Sequence, residues 1–450
     1  MNNTKIVIGG GVAGVSLAYK LLQAGIDDVV IIEKERELGG LARTFEFDGF
    51  VFDLGPHRFY TDDQEVFDFI MDILGKDYVK VARASALHIF NKYYHWPFEL
   101  RDAVKLPPGF AFFSFLDLLF KKGRPEVTFA DFVLNRYGKT LLYKFFDPYY
   151  TKALKVPCSE IHRDYASAGV DRAVIDKRIK VDNLFSLIKS AFKKKLKTHF
   201  ICPDGGIRTF INRIEQRIKQ LGGRVICNAQ VTKVHMTDHK ITKLEVGNHV
   251  FDVDELFWSA PIPGILELLN IEDVPKLNYL STIFYFYAID RPPLIDHQWI
   301  YYAGAKTLFS RGSITTLFNE GYAPPGKHGI CIELPMLPGD PLLDDPLKKD
   351  AAIREHMMKA GLIESYDDIR AGYVQAVHNT YPIYSLQYRE DLDNIFARIR
   401  SVCHNVHMFG RCGYFWYNNM DHSIRMSLDI AAAVSSGTSV EDFERDFSKG

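Results

Sequence analysis

Cysteine is scarce: there are 6 in 450 residues, at Cys158, Cys202, Cys227, Cys331, Cys403 and Cys412, with no CxxC pair. That scatter excludes a dense disulfide framework and gives no thiolate metal motif, so a reducing compartment and no metal are expected. Net charge is nearly absent at −1, which removes any global pull toward nucleic acid or an anionic membrane. No stretch reaches the roughly 18 apolar residues that a spanning helix needs. The first strand-like run begins near residue 5, so no secretory leader is expected and the expected location is cytoplasmic. Internal repeats and low-complexity tracts are also missing. What remains is an ordinary globular balance, 47% apolar and 25% charged, with aromatics at 13%. Those rings read equally as a large core or as the lining of a cleft that stacks on planar or sugar ligands.

The chain is organised around its first sixty residues. Ile6-Val7-Ile8 is a short apolar strand that runs into Gly9-x-Gly11-x-x-Gly14, with Val12 and Ala13 inside the loop. A helical pattern follows, then a second strand, Val29-Val30-Ile31-Ile32, that ends on Glu33. Gly9 permits the turn, Gly11 lets a pyrophosphate approach the backbone, and Gly14 lets helix pack on strand. Glu33 stands where a carboxylate accepts from a ribose. The unit therefore predicts a dinucleotide held at a helix N-terminus.

Lys34 leads into Gly39-Gly40-Leu41-Ala42-Arg43. A second glycine pair followed by an arginine suits a longer, flavin-bearing cofactor, with Arg43 supplying charge-assisted hydrogen bonds near the phosphates. FAD is the expectation over NAD. These motifs resemble the FAD-binding amine-oxidase and protoporphyrinogen-oxidase superfamily. The continuation Gly55-Pro56-His57-Arg58-Phe59-Tyr60 is similar to a segment of UDP-galactopyranose mutases. The resemblance implies an α/β fold, a Rossmann-like FAD-binding domain interleaved with an α+β substrate domain of antiparallel sheet plus helices. The expected division is 1–64, 201–265 and 401–450 for FAD, with 65–200 and 266–400 for substrate.

Along the chain, residues 65–74 read as an amphipathic helix stopped by Gly75, and 86–96 as a hairpin turning at Asn91-Lys92. Phe110 to Phe120 is an eleven-residue, mostly apolar run followed by Lys121-Lys122. It is too short to span a bilayer and reads as a core helix, the alternative being a surface that rests on a membrane or partner. Residues 184–200 form an apolar stripe beside a lysine-rich face. Residues 207–221 read as helix, 224–234 and 255–261 as strands, the latter ending at the Pro261 turn, 279–379 as strand-rich with 314–317 in a strand, and 342–361 as helix.

The resemblance carries further implications. Residues 145–161 are similar to a mutase block in which a following arginine binds a substrate diphosphate, and Arg172 matches it best, with Arg163 as substitute. Val231 stands where the superfamily contacts adenine through backbone groups. The closing run, Gly410-Arg411 to Met420-Asp421-His422-Ser423, would hold the pyrophosphate and present a helix N-terminus to the flavin ring, stabilising charge there on reduction. His57 is the candidate polar group near flavin N5, able to exchange protons at its ordinary pKa. Tyr384 and Tyr417 are candidate substrate walls, with Tyr381 and Trp416. Small-molecule chemistry is implied, a nucleotide sugar converted through flavin N5 without net oxidation, on a flavin that NAD(P)H could reduce. The other implied chemistry is an oxidase passing hydride to flavin and then to oxygen. Non-catalytic relatives that bind prenylated GTPases share the fold but lack parts of the fingerprint that this chain keeps.

Overall fold

The computed structural model describes residues 4–96, 99–120, 123–166, 199–304 and 306–440. Arg172, the block at 184–198 and the Pro97-Phe98 step lie outside them. The opening residues fold as their pattern requires. Strand Lys5–Ile8, helix Val12–Gln23 and strand Val29–Ile32 form a βαβ unit, and both strands are parallel neighbours in one sheet. That sheet has five parallel strands in the order Val406–Met408, Glu255–Trp258, Lys5–Ile8, Val29–Ile32, Arg224–Ile226. Four of its strands are nearly continuous apolar runs, as a sheet covered on both faces demands. Helices Val12–Gln23, Arg208–Gln220 and Met420–Ser436 bury their apolar stripes together with that sheet.

A second sheet of seven strands makes the other half. Its order is Ile369–Pro382, Tyr279–Ile289, His328–Met336, Arg311–Ile314, Trp299–Tyr302, Ser85–Ile89, Lys92–His95. All neighbours are antiparallel except Trp299–Tyr302 with Ser85–Ile89. Every residue of Tyr279–Ile289 is buried, so this central strand is covered on both faces. The fold is thus the mixed α/β one expected, with the FAD-type parallel sheet returning three times from sequence excursions.

Several local expectations shift. The hairpin turns at Phe90-Asn91, both at positive φ, one residue early. The run 224–234 splits, because Val231–Thr237 leaves the parallel sheet to start a three-stranded antiparallel one. Residues 315–317 form a 3-10 turn after strand Arg311–Ile314, and the helix in 342–361 is confined to Asp350–Lys359. The largest correction concerns Phe110 to Phe120. It is a helix, Pro108–Leu119, but not a core helix: Phe112, Phe113 and Phe115 are 57%, 58% and 47% exposed.

Candidate functional site

The site begins with backbone. Gly9 turns the chain at φ +96°, and a Cβ on Gly14 would stand 1.9 Å from the Gly9 carbonyl oxygen, so only glycine lets the helix start this close to the strand. The Gly10 N–H donates to Glu33 Oε2 at 2.7 Å and the Glu35 N–H to Glu33 Oε1 at 2.9 Å. The buried Glu33 carboxylate thereby ties the end of the second strand to the first loop. The second glycine pair docks on the first, with the Gly39 N–H donating to Gly10 O at 2.8 Å. Arg43 folds back, its Nε donating to Gly40 O at 2.9 Å and a terminal nitrogen 3.6 Å from Glu35 Oε2. Ala42 donates its N–H to Gly39 O, while Lys34 stays solvent-exposed beside Glu35.

Gly11 behaves differently from its neighbours. A Cβ there would meet no atom nearer than Gly39 O at 3.9 Å, so the protein's own packing does not require this glycine. The helix it opens has no acidic residue in its first turn and no side-chain cap. Unused N–H groups, a positive dipole end and open space over a glycine fit a pyrophosphate. The residues present therefore fit FAD. Gly9 to Gly14, with Val12 and Ala13 in the first turn, and Gly40 would hold its phosphates.

The closing segment meets this loop from the far end of the chain. Ser427 Oγ donates to Ala13 O at 2.9 Å, and a Cβ on Gly410 would stand 3.1 Å from Ala13 Cβ. Arg411 donates to Thr380 O at 3.4 Å and also to Asn418 O, and its guanidinium lies over the Tyr381 ring. Helix Met420–Ser436 starts one residue before the expected Asp421. Met420, Asp421 and His422 line the main cavity, while Ser423 turns inward to accept from Asn418 Nδ2 at 3.0 Å. Val231 is buried at the head of its strand, two residues past Ala229, whose N–H donates to Glu33 O at 2.9 Å.

The main cavity, of about 1450 Å³, is bounded by the seven-stranded sheet, by helices Phe129–Leu141, Asp147–Leu154 and Tyr388–Val402, and by the closing segment from Arg411 to Arg425. Single-ligand pockets run to about 1,000 Å³, so this one has room for a flavin ring and a substrate together. Leu41, Pro56, His57 and Arg58 line it, with Tyr384, Tyr417 and Arg411. Gly55 itself is held at φ +84° beneath the Glu333 carboxylate, and a Cβ on it would stand 2.8 Å from Glu333 Oε1. No lysine lines the cavity among the described residues.

His57 does not sit as an ordinary imidazole. Burial, and then the charges of Arg411, Arg58 and Arg311, push its pKa down to about 3. It is neutral across the physiological range, so the proton exchange expected from an unshifted histidine does not suit this environment. Its Nδ1 is buried without a partner, and so is Arg58 Nε. Arg58 stacks over Trp299 at 4.5 Å and Phe200 at 5.0 Å, and donates to Pro56 O at 2.6 Å. Arg83 also lies over Trp299, at 5.5 Å, with burial lowering its pKa to about 10.

Tyr417 stacks on Tyr381 at 4.9 Å and forms a wall. Tyr384 lies flat on Tyr388 at 4.2 Å, and its hydroxyl accepts from the Tyr417 N–H at 2.8 Å. Its side chain thus holds the wall in place. Cys412 is a filler whose thiol is raised to about 11 by burial. Sequence reasoning missed the charged pair in the cavity. Arg311 and Glu333 face each other across paired strands, in a two-pronged contact of 2.5 and 2.6 Å. Burial opposes the Arg311 charge, but Glu333 outweighs it and holds the group well above its usual pKa. The one available signal was Glu333 itself, a lone carboxylate in the apolar run ICIELPM. Tyr149 and Tyr301, 5.9 Å apart edge to face, had no such signal.

Known proteins share this architecture. The structure matches that of reduced UDP-galactopyranose mutase with a TM-score of 0.82 and 18% identity, covering 99% of this chain and 98% of that one. It matches a candidate protoporphyrinogen oxidase from Exiguobacterium with a TM-score of 0.77 and 14% identity, covering 97% and 100%. In sequence it is 22% identical over 397 residues to the 4,4'-diapophytoene desaturase of Staphylococcus aureus (strain COL), spanning 73% of this chain and 74% of the relative. The family of flavin containing amine oxidoreductases matches over residues 12–385. With a glycine cradle whose open space and free helix start fit a dinucleotide's phosphates, the chain belongs to the flavin-containing amine oxidoreductase family and is an FAD-dependent enzyme of it.

Proposed function

We propose that this enzyme acts through flavin N5 on a nucleotide sugar or a diphosphate-bearing glycan precursor, without net oxidation. Bound flavin would supply the electron pair that meets the reacting carbon and takes it back. The observation that carries the reading is Arg58. Arg58 is half-buried, its Nε is buried without a partner, and no carboxylate pairs with it among the described residues, so an anion in the cavity would complete its hydrogen bonding. It lies over the Trp299 and Phe200 rings, and Arg83 lies over Trp299 as well. A diphosphate there would meet two planar cations, and an attached base or sugar would meet aromatic faces. Arg58, read from sequence as a cofactor residue, is therefore proposed as a substrate clamp, with Arg172 as a second arm.

Arg411 and the helix start at Met420 to Ser423 would serve the cofactor, together with Gly9 to Gly14, Glu33, Gly40, Arg43 and the backbone at Val231. The interleaved division at 64, 200, 265 and 400 goes with that assignment. His57 would offer N5 a neutral imidazole and its own carbonyl, not a titrating acid. The overlap with UDP-galactopyranose mutase along nearly the full chain supports this reading.

The second reading is hydride transfer from a C–C or C–N bond to flavin, with oxygen as acceptor. The desaturase relatives favour it, as do the stacked Tyr381 and Tyr417. The deciding experiment is anaerobic. Reduced enzyme is offered UDP-sugars, and products are scored for isomers of unchanged mass. Steady peroxide release from an amine or polyene, with no isomer formed, would overturn the first reading for the second.

A further inference from the structure

Helix Pro108–Leu119 is inside out. Its one charged residue, Asp117, faces the protein, where Oδ2 accepts the Thr140 N–H at 2.5 Å. Its rings face outward: Phe112 and Phe113 are 57% and 58% exposed, and Phe120, just past the end, is 75% exposed. Leu119, on the same helix, is exposed too, and so is Tyr143, which lines a groove with Phe113. A shallow groove of about 460 Å³ runs between Phe90, Phe113 and Tyr143. Apolar residues scattered singly on a surface are normal, but a contiguous cluster of this kind marks a contact site.

The rim decides the partner. Lys139 and Lys144 border the groove and are exposed, and Lys92 is exposed near Lys105. The acids nearby are turned inward. Asp102 accepts from the His95 and Glu99 N–H groups and pairs with Lys105, and Glu126 pairs with Arg136 and Arg163. An apolar face ringed by unneutralised lysines complements an anionic lipid surface, where rings enter the acyl boundary and ammonium groups meet phosphates. A two-fold pairing with a second copy would set Lys139 and Lys144 against their own equivalents. The patch also packs on helix Phe129–Leu141, whose residues Phe132 and Arg136 line the main cavity.

We propose that the face formed by Pro108–Leu119, Phe120 and Tyr143 docks the enzyme on an anionic bilayer surface. This goes beyond the reaction proposed above and does not depend on it. The test is flotation of full-chain holoenzyme with vesicles of phosphatidylcholine, with and without phosphatidylglycerol, which reads no turnover. Wild type should float with the mixed vesicles and bind roughly tenfold more weakly without the anionic lipid. The double variant Phe112→Glu, Phe113→Glu should stay in buffer with its flavin absorbance and melting temperature unchanged. Lys139→Glu with Lys144→Glu should lose the preference for anionic lipid. Wild type remaining in buffer with both vesicles would overturn the proposal, and so would equal flotation of the phenylalanine variant. Light scattering that shows a dimer broken by the same variant would assign the face to a second copy instead.

Discussion

The cofactor cradle and the substrate side of the cavity are built by opposite means. The cradle proposed for the cofactor is mostly backbone: Gly9, Gly11, Gly14, Gly39 and Gly40 bring chain segments close, and N–H groups from a few consecutive residues would do the binding. The substrate side is mostly side chain. Arg58, Arg83, Trp299, Arg311, Glu333, Tyr381 and Tyr417 arrive from strands and loops hundreds of residues apart. A backbone site tolerates little because each glycine has a geometric reason. A side-chain site can change partner by changing one residue, so family membership carries the cofactor across and leaves the substrate open.

The sharpest way to break that contrast lies within the cradle. Gly14→Val should abolish folding, because its Cβ would overlap the Gly9 carbonyl at 1.9 Å; soluble yield and circular dichroism report it. Gly11→Val should keep the fold and lose the flavin, since the added atoms occupy only the space where the pyrophosphate lies. A folded, colourless protein is the expected outcome, and a yellow one would mean that the phosphates lie elsewhere.

On the substrate side, Glu333→Ala should cost about 3–5 kcal/mol by leaving Arg311 buried and unpaired, read as a lower denaturant midpoint. Replacing both residues by apolar ones should recover much of that loss. Arg58→Ala should retain flavin and weaken binding of a nucleoside diphosphate by about 2–3 kcal/mol, the value of charge-assisted hydrogen bonds, measured by calorimetry. Loss of flavin instead would return Arg58 to the cofactor side.

The last test is of pH dependence. Asp53 accepts from Thr44 Oγ1 and from the Ile207 N–H, and burial raises its pKa from 3.8 to about 7. The folded state therefore holds a proton that the unfolded state has released between pH 4 and 7. Its contribution is full below about pH 4 and falls as pH rises toward 7. Melting temperature should decline across that window from this group, and Asp53→Asn should flatten the slope.

Legibility followed the same division. The βαβ unit and the glycine turns at Gly39-Gly40 and Gly410 were readable as local structure because strand, turn and helix depend on neighbours within a few residues. The Arg311–Glu333 pair was not, since strand register 22 residues apart decides it. Nor was the neutral state of His57, which comes from burial and from the charges of Arg411, Arg58 and Arg311, two of them far away in the chain. Phe110 to Phe120 misled for a related reason: hydrophobicity says that a segment avoids water, but not what covers it.

Sequence by itself determined the cofactor fold, because a glycine's missing side chain and a short strand-turn-helix act locally. Tertiary structure decided where Arg58 points, which protons His57 can hold, and that Phe112 and Phe113 face outward. Those outcomes depend on burial and on distant charges, and both exist only after the chain has closed on itself.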